Sequence, residues 1–242
     1  MRMDFQQFYV EPDNISTHVF RLTGDECRHA IKVLRKKRGD ALSAIDGCGR
    51  LLHGIIERIE RDQVVVSIER IEENVGEPRI KLTIAQAIPK GHYFDLVVEK
   101  GTEIGVSAFQ PITTARSIVE PTSRIERWQK KALAATKQCG RSRCPTVASP
   151  LPFDAFLQRD QCDLAFIAHE AAEQAGPSPL ALQGLRAITL YIGPEGGFTA
   201  TEIERAKEFR VVPIHLGSRR LRSETAALVA ATKILHAAGE LG

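Results

Sequence analysis

The stretch that decides the fold is LYIGPEGGFTATEIERAKEFRVVPIHLGSRRLRSETAALVA, residues 190–230. It contains two apolar runs with strand character, Leu190–Ile192 and Val211–Leu216, and each is followed by a glycine-containing turn and a helix-like segment. We call residues 193–197 the first glycine turn and residues 217–222 the second glycine turn. Glycine lacks a Cβ, so backbone at these turns can approach a ligand closely. Glycine turns at the carboxyl ends of neighbouring strands are where an open α/β sheet binds its ligand.

The same spacing also fits two ordinary strand-to-helix connections, because glycines that flank helices are common. Thr199 and Glu202 have the spacing of a capping box for the helix after the first turn, and Ser223 or Thr225 is predicted to cap the helix after the second. Spacing alone therefore leaves a ligand site and a purely structural pair of turns both open.

Charge is concentrated in two segments of a chain whose formal net charge is only +3. The first basic segment, residues 28–38, holds six Lys or Arg side chains and no acidic residue before Asp40. The second basic segment, residues 116–143, holds eight, against Glu120 and Glu126. Dense positive charge on a nearly neutral chain indicates a polyanionic partner, whereas the alternative is a pair of solvated helix faces.

Other features of the composition exclude several classes of protein. The five cysteines are scattered without a C-x-x-C pair, which favours reduced thiols. We find no His, Cys and Asp cluster with ligand spacing and predict no metal. The first ten residues lack the apolar core of a signal peptide, and no apolar run reaches the ~20 residues of a membrane span. We expect a cytoplasmic protein that does not enter a membrane.

The 242 residues are enough for one large or two modest domains, and the pattern changes along the chain. Residues 1–72 are predicted to form a small β-rich domain with strands at 19–22, 41–45, 51–59 and 64–68 and one helical piece, Cys27–Arg35. The polar segment Ile71–Arg79 contains Gly and Pro and is predicted to be a linker. Residues 73–242 are predicted to form the second domain.

From Ile80 onward, strand-like runs alternate with helical patterns, which predicts an α/β domain with a mostly parallel sheet covered on both faces. A strand is predicted at Leu164–Ala168, and Gly105 is predicted to end the helix that begins near Phe94. A capping box is predicted at Ser123–Glu126, before a helix whose buried stripe includes Trp128. The last helix, from about Glu224 to Ala238, is apolar nearly all round, so it packs against its own sheet or against a second subunit.

These motifs together resemble one known family over nearly the whole chain. GPEGGF at 193–198 and LGSRRLRSETA at 216–226 are similar to the signature of the SPOUT RNA methyltransferases. Within that superfamily the chain resembles the RsmE family, which methylates N3 of a uridine in 16S ribosomal RNA. Shorter stretches of the same resemblance are RHAIKVLRKKRGD, IPKG, EKGTEIGV, ARS and KQCGRSRCP. The chain departs from the family pattern at His92–Phe94 and at Gly101, which bears only on the edge of the RNA surface.

The resemblance implies a SPOUT α/β domain with a C-terminal trefoil knot, preceded by a PUA-like β-barrel that binds RNA. It also implies S-adenosylmethionine as cofactor and a homodimer whose pocket lies by the subunit interface. We expect the partner to be 16S rRNA or the small ribosomal subunit. The residues expected to bind the cofactor are Leu190, Ile192, Gly193, Pro194, Glu195, Gly196, Gly197, Leu216, Gly217, Leu221, Arg222, Thr225 and Ala226.

Methylation at N3 of a uridine requires loss of the N3 proton, and a guanidinium stabilises the charge that develops on the base oxygens. We predict Arg222, Glu224 and Glu195 as catalytic residues, with Arg222 as the cation and either carboxylate as the base. The alternative for Arg222 and Glu224 is a helix-start pair, in which Glu224 complements the helix dipole. His215 is predicted to be a core residue. Residues predicted to bind RNA are Arg28, His29, Lys32, Arg35, Lys36, Lys37, Arg116, Arg141 and Arg143.

Three other functions compete with this interpretation. Another SPOUT reaction, on a ribose 2′-OH or a tRNA base, would use the same cofactor site, although the RHAIKVLR stretch favours the RsmE reaction. A non-catalytic RNA-binding protein with the same fold would bind RNA but not the cofactor. A dinucleotide-dependent oxidoreductase is disfavoured because no G-x-G-x-x-G follows the first strand.

Overall fold

The computed structural model describes residues 7–117, 124–173 and 182–241 and divides the chain into two compact units. The first comprises Met1–Glu77 and Leu133–Cys144, and the second comprises Pro78–Ala132 and Pro145–Gly242. The first unit thus includes a segment from the middle of the chain, which a division by sequence order does not contain. The predicted division of the chain at residues 72 and 73 stays a prediction.

The first unit is built on a five-stranded sheet with the strand order β1-β3-β4-β5-β2. Val64 and Val66 on one face of β5 pack with Leu52 and Ile56 of β4, so the alternation of apolar residues buries one face. All pairs are antiparallel except β1 with β3. The strands are β1 Phe8–Tyr9, β2 Val19–Thr23, β3 Ala41–Ile45, β4 Arg50–Ile59 and β5 Gln63–Glu73. The four predicted strands are confirmed, but β5 continues into the segment that we expected to be linker.

A helical segment of the first unit differs from the prediction. It begins as an α-helix, α1 at Gly24–Arg28, and continues as a π-helical turn over His29–Val33. The prediction of a helix over Cys27–Arg35 was therefore wrong at both ends. Arg35 has a φ of 53°, in the left-handed region that few non-glycine residues adopt, so the helix cannot extend through it.

The segment Leu133–Cys144 is fixed to the first unit by a buried ion pair. Arg141 is 3% exposed, and its Nη2 donates to Oε2 of Glu77 at 2.7 Å. The backbone N–H of Arg143 donates to Oε1 of the same carboxylate at 2.9 Å. Because a buried guanidinium is stable only when paired, Arg141 has a structural role here. This corrects the prediction that Arg141 contacts an RNA phosphate.

The second unit contains a seven-stranded sheet with the path β12-β10-β11-β6-β7-β8, and β9 pairs with β7. All of its strand pairs are parallel. The strands are β6 Lys81–Ala87, β7 Ala108–Thr113, β8 Thr146–Val147, β9 Leu151–Pro152, β10 Leu164–Ala168, β11 Ala187–Ile192 and β12 Val212–Ile214. Strands such as β11 are buried on both faces, which is why their residues are apolar almost without interruption. The predicted α/β fold class with a mostly parallel sheet is confirmed.

The helices described from Tyr93 onward are α2 Tyr93–Ile104, α3 Ile125–Cys139, α4 Phe153–Leu157, α5 Ala200–Glu208 and α6 Ser223–Ala237. α2 ends at Gly105, which has a φ of 106° and serves as the predicted C-cap. The capping box of Thr199 and Glu202 at the start of α5 is also confirmed. The N-cap of α6 is Arg222 without a side-chain hydrogen bond, so the prediction that Ser223 or Thr225 caps it was wrong. Ser123, of the other predicted capping box, lies outside the described residues.

The order of the strands corrects one further expectation. β11 and β12, which lead into the two glycine turns, are not neighbours, because β10 lies between them and pairs with both. Three carboxyl ends of parallel strands, instead of two, therefore meet at this edge of the sheet.

Candidate active site

A cavity of about 480 Å³ lies in the second unit at the carboxyl ends of β10, β11 and β12. Its volume is in the range of small-molecule sites, and its position is the one expected of a ligand site in a parallel sheet. Both glycine turns contribute to its wall. The lining residues are Arg116, Ala168, His169, Glu170, Ile192, Gly193, Pro194, Glu195, Gly196, Gly197, Phe198, Leu216, Gly217, Arg219, Arg220, Leu221, Arg222, Ser223 and Ala226.

Hydrogen bonds from distant parts of the chain fix the first glycine turn. The backbone N–H of Lys90 donates to Oε1 of Glu195 at 3.0 Å, and Nη1 of Arg116 donates to the carbonyl oxygen of Gly196 at 2.6 Å. Beyond the turn, Glu202 accepts from the backbone N–H of Ala115 at 2.8 Å while also completing the capping box. The IPKG and ARS motifs therefore position the GPEGG backbone.

The second glycine turn is held by a hydrogen bond to His215, which lies just before it in the chain. The backbone N–H of Gly217 donates to Nδ1 of His215 at 3.2 Å, which requires the imidazole tautomer with a free Nδ1. Gly217 has a φ of 115°, and an ideal Cβ there would meet nothing within 4 Å, so the conformation and not crowding requires glycine. Residues 217–220 and Arg222 are exposed, and their side chains are available to a ligand. His215 organises this turn from a half-buried position.

The structure brings most of the predicted site residues together, with three exceptions. Arg222 and Glu195 line the cavity, as do the predicted glycines of both turns. Leu190 is fully buried within β11, and Thr225 is exposed on α6, and neither lines the cavity. Glu224 is also outside the lining, and at 7% exposure it is buried in the first turn of α6.

Residues after β10 line the cavity although the sequence analysis did not select them. Ala168 is the last residue of β10, and His169 and Glu170 follow it. The sequence did predict this strand, so the carboxyl-end rule for parallel sheets was a sufficient signal. Arg116 lies on the cavity wall against the first glycine turn, and its predicted binding of RNA stays a prediction. Ser223 also lines the cavity, and its Oγ is buried without a hydrogen-bond partner in the described structure.

Tyr191, next to the cavity residue Ile192, faces the opposite side of the sheet. Its hydroxyl donates to Oδ2 of Asp160 at 2.7 Å, and Oδ1 of Asp160 accepts from Thr189. Burial, with the nearby carboxylate, raises the pKa of Tyr191, so the phenol stays protonated and keeps donating. This network anchors β11 just before the first glycine turn.

The first unit displays most of the predicted RNA-binding side chains on its surface. Arg28, His29, Lys32, Arg35 and Lys37 are exposed. Lys36 is half-buried, with Nζ donating to the carbonyl oxygen of Ala41 at 3.0 Å, and Arg143 is exposed with Nη2 donating to Asn74 at 2.9 Å.

Comparison with known proteins agrees with both units. Residues 76–235 match the RNA methyltransferase domain family, and residues 22–69 match the RNA methyltransferase PUA domain family. The ribosomal RNA small subunit methyltransferase E of Bacillus subtilis is 34% identical over 232 residues, which cover 90% of each chain. The chain belongs to the ribosomal RNA small subunit methyltransferase E family. The methyltransferase E of Synechocystis is 32% identical over 93% of this chain and 75% of its own.

A solved structure of another methyltransferase E, from Neisseria gonorrhoeae and bound to S-adenosyl methionine, has a TM-score of 0.81 against this chain. The two share 28% sequence identity over 96% of this chain and 97% of the other. In the part of this chain that the structure describes, no group of three or more His, Cys, Asp or Glu side chains is arranged to hold a metal ion. No helix among the described residues is long and apolar enough to cross a membrane.

Proposed function

We propose that this protein uses S-adenosylmethionine to methylate N3 of a uridine in 16S rRNA of the small ribosomal subunit. The observation that carries the proposal is the cavity formed by both glycine turns, in a chain of the methyltransferase E family. The cofactor in the solved Neisseria relative supports the choice of cofactor. When bound, this cofactor supplies an electrophilic methyl group.

The residues of the cavity fit such a ligand. A positive φ at Gly217 and the open space around it leave backbone exposed to a ligand. The buried Ser223 Oγ has no protein partner in the described structure, and a bound polar ligand is one explanation of such a group. The backbones of the two glycine turns, with Leu216 and Leu221, would hold the cofactor.

Arg222 is proposed to stabilise the charge that develops on the uracil oxygens as the N3 proton leaves. Its guanidinium is exposed at the cavity and precedes the first turn of α6, whose N-terminal end also favours negative charge. Glu195 is the stronger candidate for proton acceptor, because it lines the cavity, whereas Glu224 is buried outside the lining. Single-turnover methyl transfer by Glu195→Gln and by Glu224→Gln distinguishes the two candidates. The variant that lacks the proton acceptor should transfer the methyl group more slowly while its affinity for the cofactor is unchanged.

The first basic segment is proposed to contact phosphates of the RNA. Each lost phosphate contact lowers the slope of log affinity against log salt by about 0.7 to 0.9, so neutralising Arg35, Lys36 and Lys37 should flatten it. A matched control is the triple Gln variant of Arg205, Lys207 and Arg210, which removes the same charge from the second unit. Equal slopes for the two triple variants would mean that only net charge matters.

A homodimer is proposed from the last helix. α6 buries Ala227, Ala231 and Ile234 in its own unit but leaves Leu228 and Val229 half-buried, which is the face that a second copy would cover. Light scattering should give twice the 26.7 kDa chain mass. Leu228→Arg with Val229→Arg should shift the protein to monomer, and a wild-type monomer at micromolar concentration would contradict the proposal.

The decisive experiment is methyl transfer from labelled cofactor to 16S rRNA, free and within the small subunit, followed by digestion and identification of the nucleoside. We expect N3-methyluridine. A 2′-O-methyl nucleoside, or transfer to tRNA alone, would identify a different SPOUT reaction. RNA binding without cofactor binding would identify a non-catalytic protein.

A further inference from the structure

The carboxyl end of β10 brings a carboxylate, that of Glu170, to the cavity wall. β10 lies between the strands that lead into the two glycine turns. The N–H of His169 donates to the carbonyl oxygen of Ile214 at 2.9 Å, and the N–H of Ala172 donates back to the carbonyl oxygen of His169 at 3.2 Å. Glu170 is therefore the first residue beyond the strand ladder, exposed at the corner of a tight turn whose start is fixed to β12.

Charge makes Glu170 unlike the other side chains of the cavity. Four lining residues carry guanidinium groups, and only Glu170 and Glu195 among the described lining residues carry carboxylates. Oε1 of Glu195 already accepts the N–H of Lys90. The hydrogen bonds and ion pairs that the structure describes include none to Glu170, so neither of its oxygens has a described protein partner.

A carboxylate accepts hydrogen bonds at both oxygens, and adjacent hydroxyl groups of a ribose can donate to it together. An acidic residue that binds a ribose hydroxyl is also the established device of dinucleotide-binding α/β sheets. We propose that Glu170 binds the ribose hydroxyls of the adenosyl cofactor, an inference that rests on the proposed function. In this arrangement the arginines are left for the cofactor carboxylate and the substrate base.

The test uses two probes that lack the amino-acid part of the cofactor, 5′-methylthioadenosine and its 2′-deoxy counterpart. Calorimetry with the full-length protein measures both affinities in wild type and in Glu170→Ala. Hydrogen bonds to a charged group predict that wild type binds the ribose probe about tenfold to a hundredfold more tightly than the deoxy probe. In Glu170→Ala that preference should fall to about twofold or less.

Glu173→Ala is the matched control, because it removes the same charge three residues later from an exposed position outside the cavity lining. It should keep the wild-type preference. Circular dichroism and melting curves check that both variants are folded.

Two outcomes would overturn the inference, and they are distinguishable. If Glu170→Ala binds S-adenosylhomocysteine more weakly but keeps the full preference for the ribose probe, Glu170 contacts the amino-acid part instead. If S-adenosylhomocysteine and the ribose probe both bind wild type without measurable affinity, the proposed cofactor fails, and the role of Glu170 fails with it.

Discussion

The two glycine turns form one cavity but are held in different ways. The first is bonded to the segments around Lys90 and Arg116 and runs into a helix with a complete capping box. In the second, the one described bond to a side chain is donated by the N–H of Gly217 to His215 two residues away, and the turn runs into a helix whose N-cap residue makes no side-chain capping hydrogen bond. A ligand site can therefore combine one turn that the protein fixes before any ligand binds with a second turn whose side chains are free to contact the ligand.

The largest effect is expected from Arg222, the exposed cation of the second turn. We expect Arg222→Ala to lower the single-turnover rate by about a hundredfold or more, as the loss of an electrostatic donor does. Lysine should restore only part of the rate, because it lacks the planar guanidinium. The melting temperature should barely change, since the structure describes no side-chain bond that would be lost. A near-wild-type rate with lowered stability would instead assign Arg222 to the start of the helix.

The next prediction compares one substitution in the two turns. Gly217→Ala should lower stability by about 1 to 3 kcal/mol, because its φ of 115° strains any residue with a Cβ. Gly196→Ala should be nearly neutral in the free protein, since its φ is not in that region and an ideal Cβ would lie 3.4 Å from Cδ of Arg116. Chemical denaturation measures both. Equal losses would mean that Gly196 and Gly217 do not differ in backbone strain.

The parts of this fold that sequence predicted are those that depend on local pattern. The capping box, the glycine at the end of α2 and the strand β10 all follow from residues within a few positions of each other. The family and its fold class came from motifs such as GPEGG and not from periodicity. Local pattern could not show that β10 separates β11 from β12, because strand order depends on long-range pairing.

The same limit explains the errors at the charged residues. Arg141 and Arg35 each lie in a basic segment, and the sequence gives no reason to separate them. In the structure Arg141 is buried and paired with Glu77, 64 residues away, while Arg35 is exposed. Arg116 was assigned to RNA as part of a basic segment, and local sequence could not show its contact with Gly196, 80 residues away. Charge density identifies candidates, and the tertiary partner of each side chain then decides its role.

A smaller effect is expected at Glu202, which lies in α5 and fixes the backbone just after the first glycine turn. Glu202→Ala removes an acceptor from the backbone N–H groups of Thr199 and Ala115 together, so we expect a loss of about 1 to 2 kcal/mol of stability. Denaturant titration checks this. Glu204→Ala on the same helix is the control, because its bond to Lys207 is exposed and should contribute less than about 0.5 kcal/mol. Equal losses for Glu202→Ala and Glu204→Ala would mean that the capping box does not support the turn.

The smallest change in stability is expected at Ser223, the first residue of α6 after the second glycine turn. Its Oγ is buried without a described partner, so Ser223→Ala removes no protein hydrogen bond and should change the free energy of unfolding by less than about 0.5 kcal/mol. If a bound ligand satisfies this hydroxyl, the same variant should weaken S-adenosylhomocysteine binding about fivefold or more, as the loss of one hydrogen bond does. Calorimetry and denaturation on one preparation separate the two effects. Unchanged affinity with lowered stability would show that the hydroxyl bonds within the protein, and the second turn would then resemble the first in being fixed before the ligand arrives.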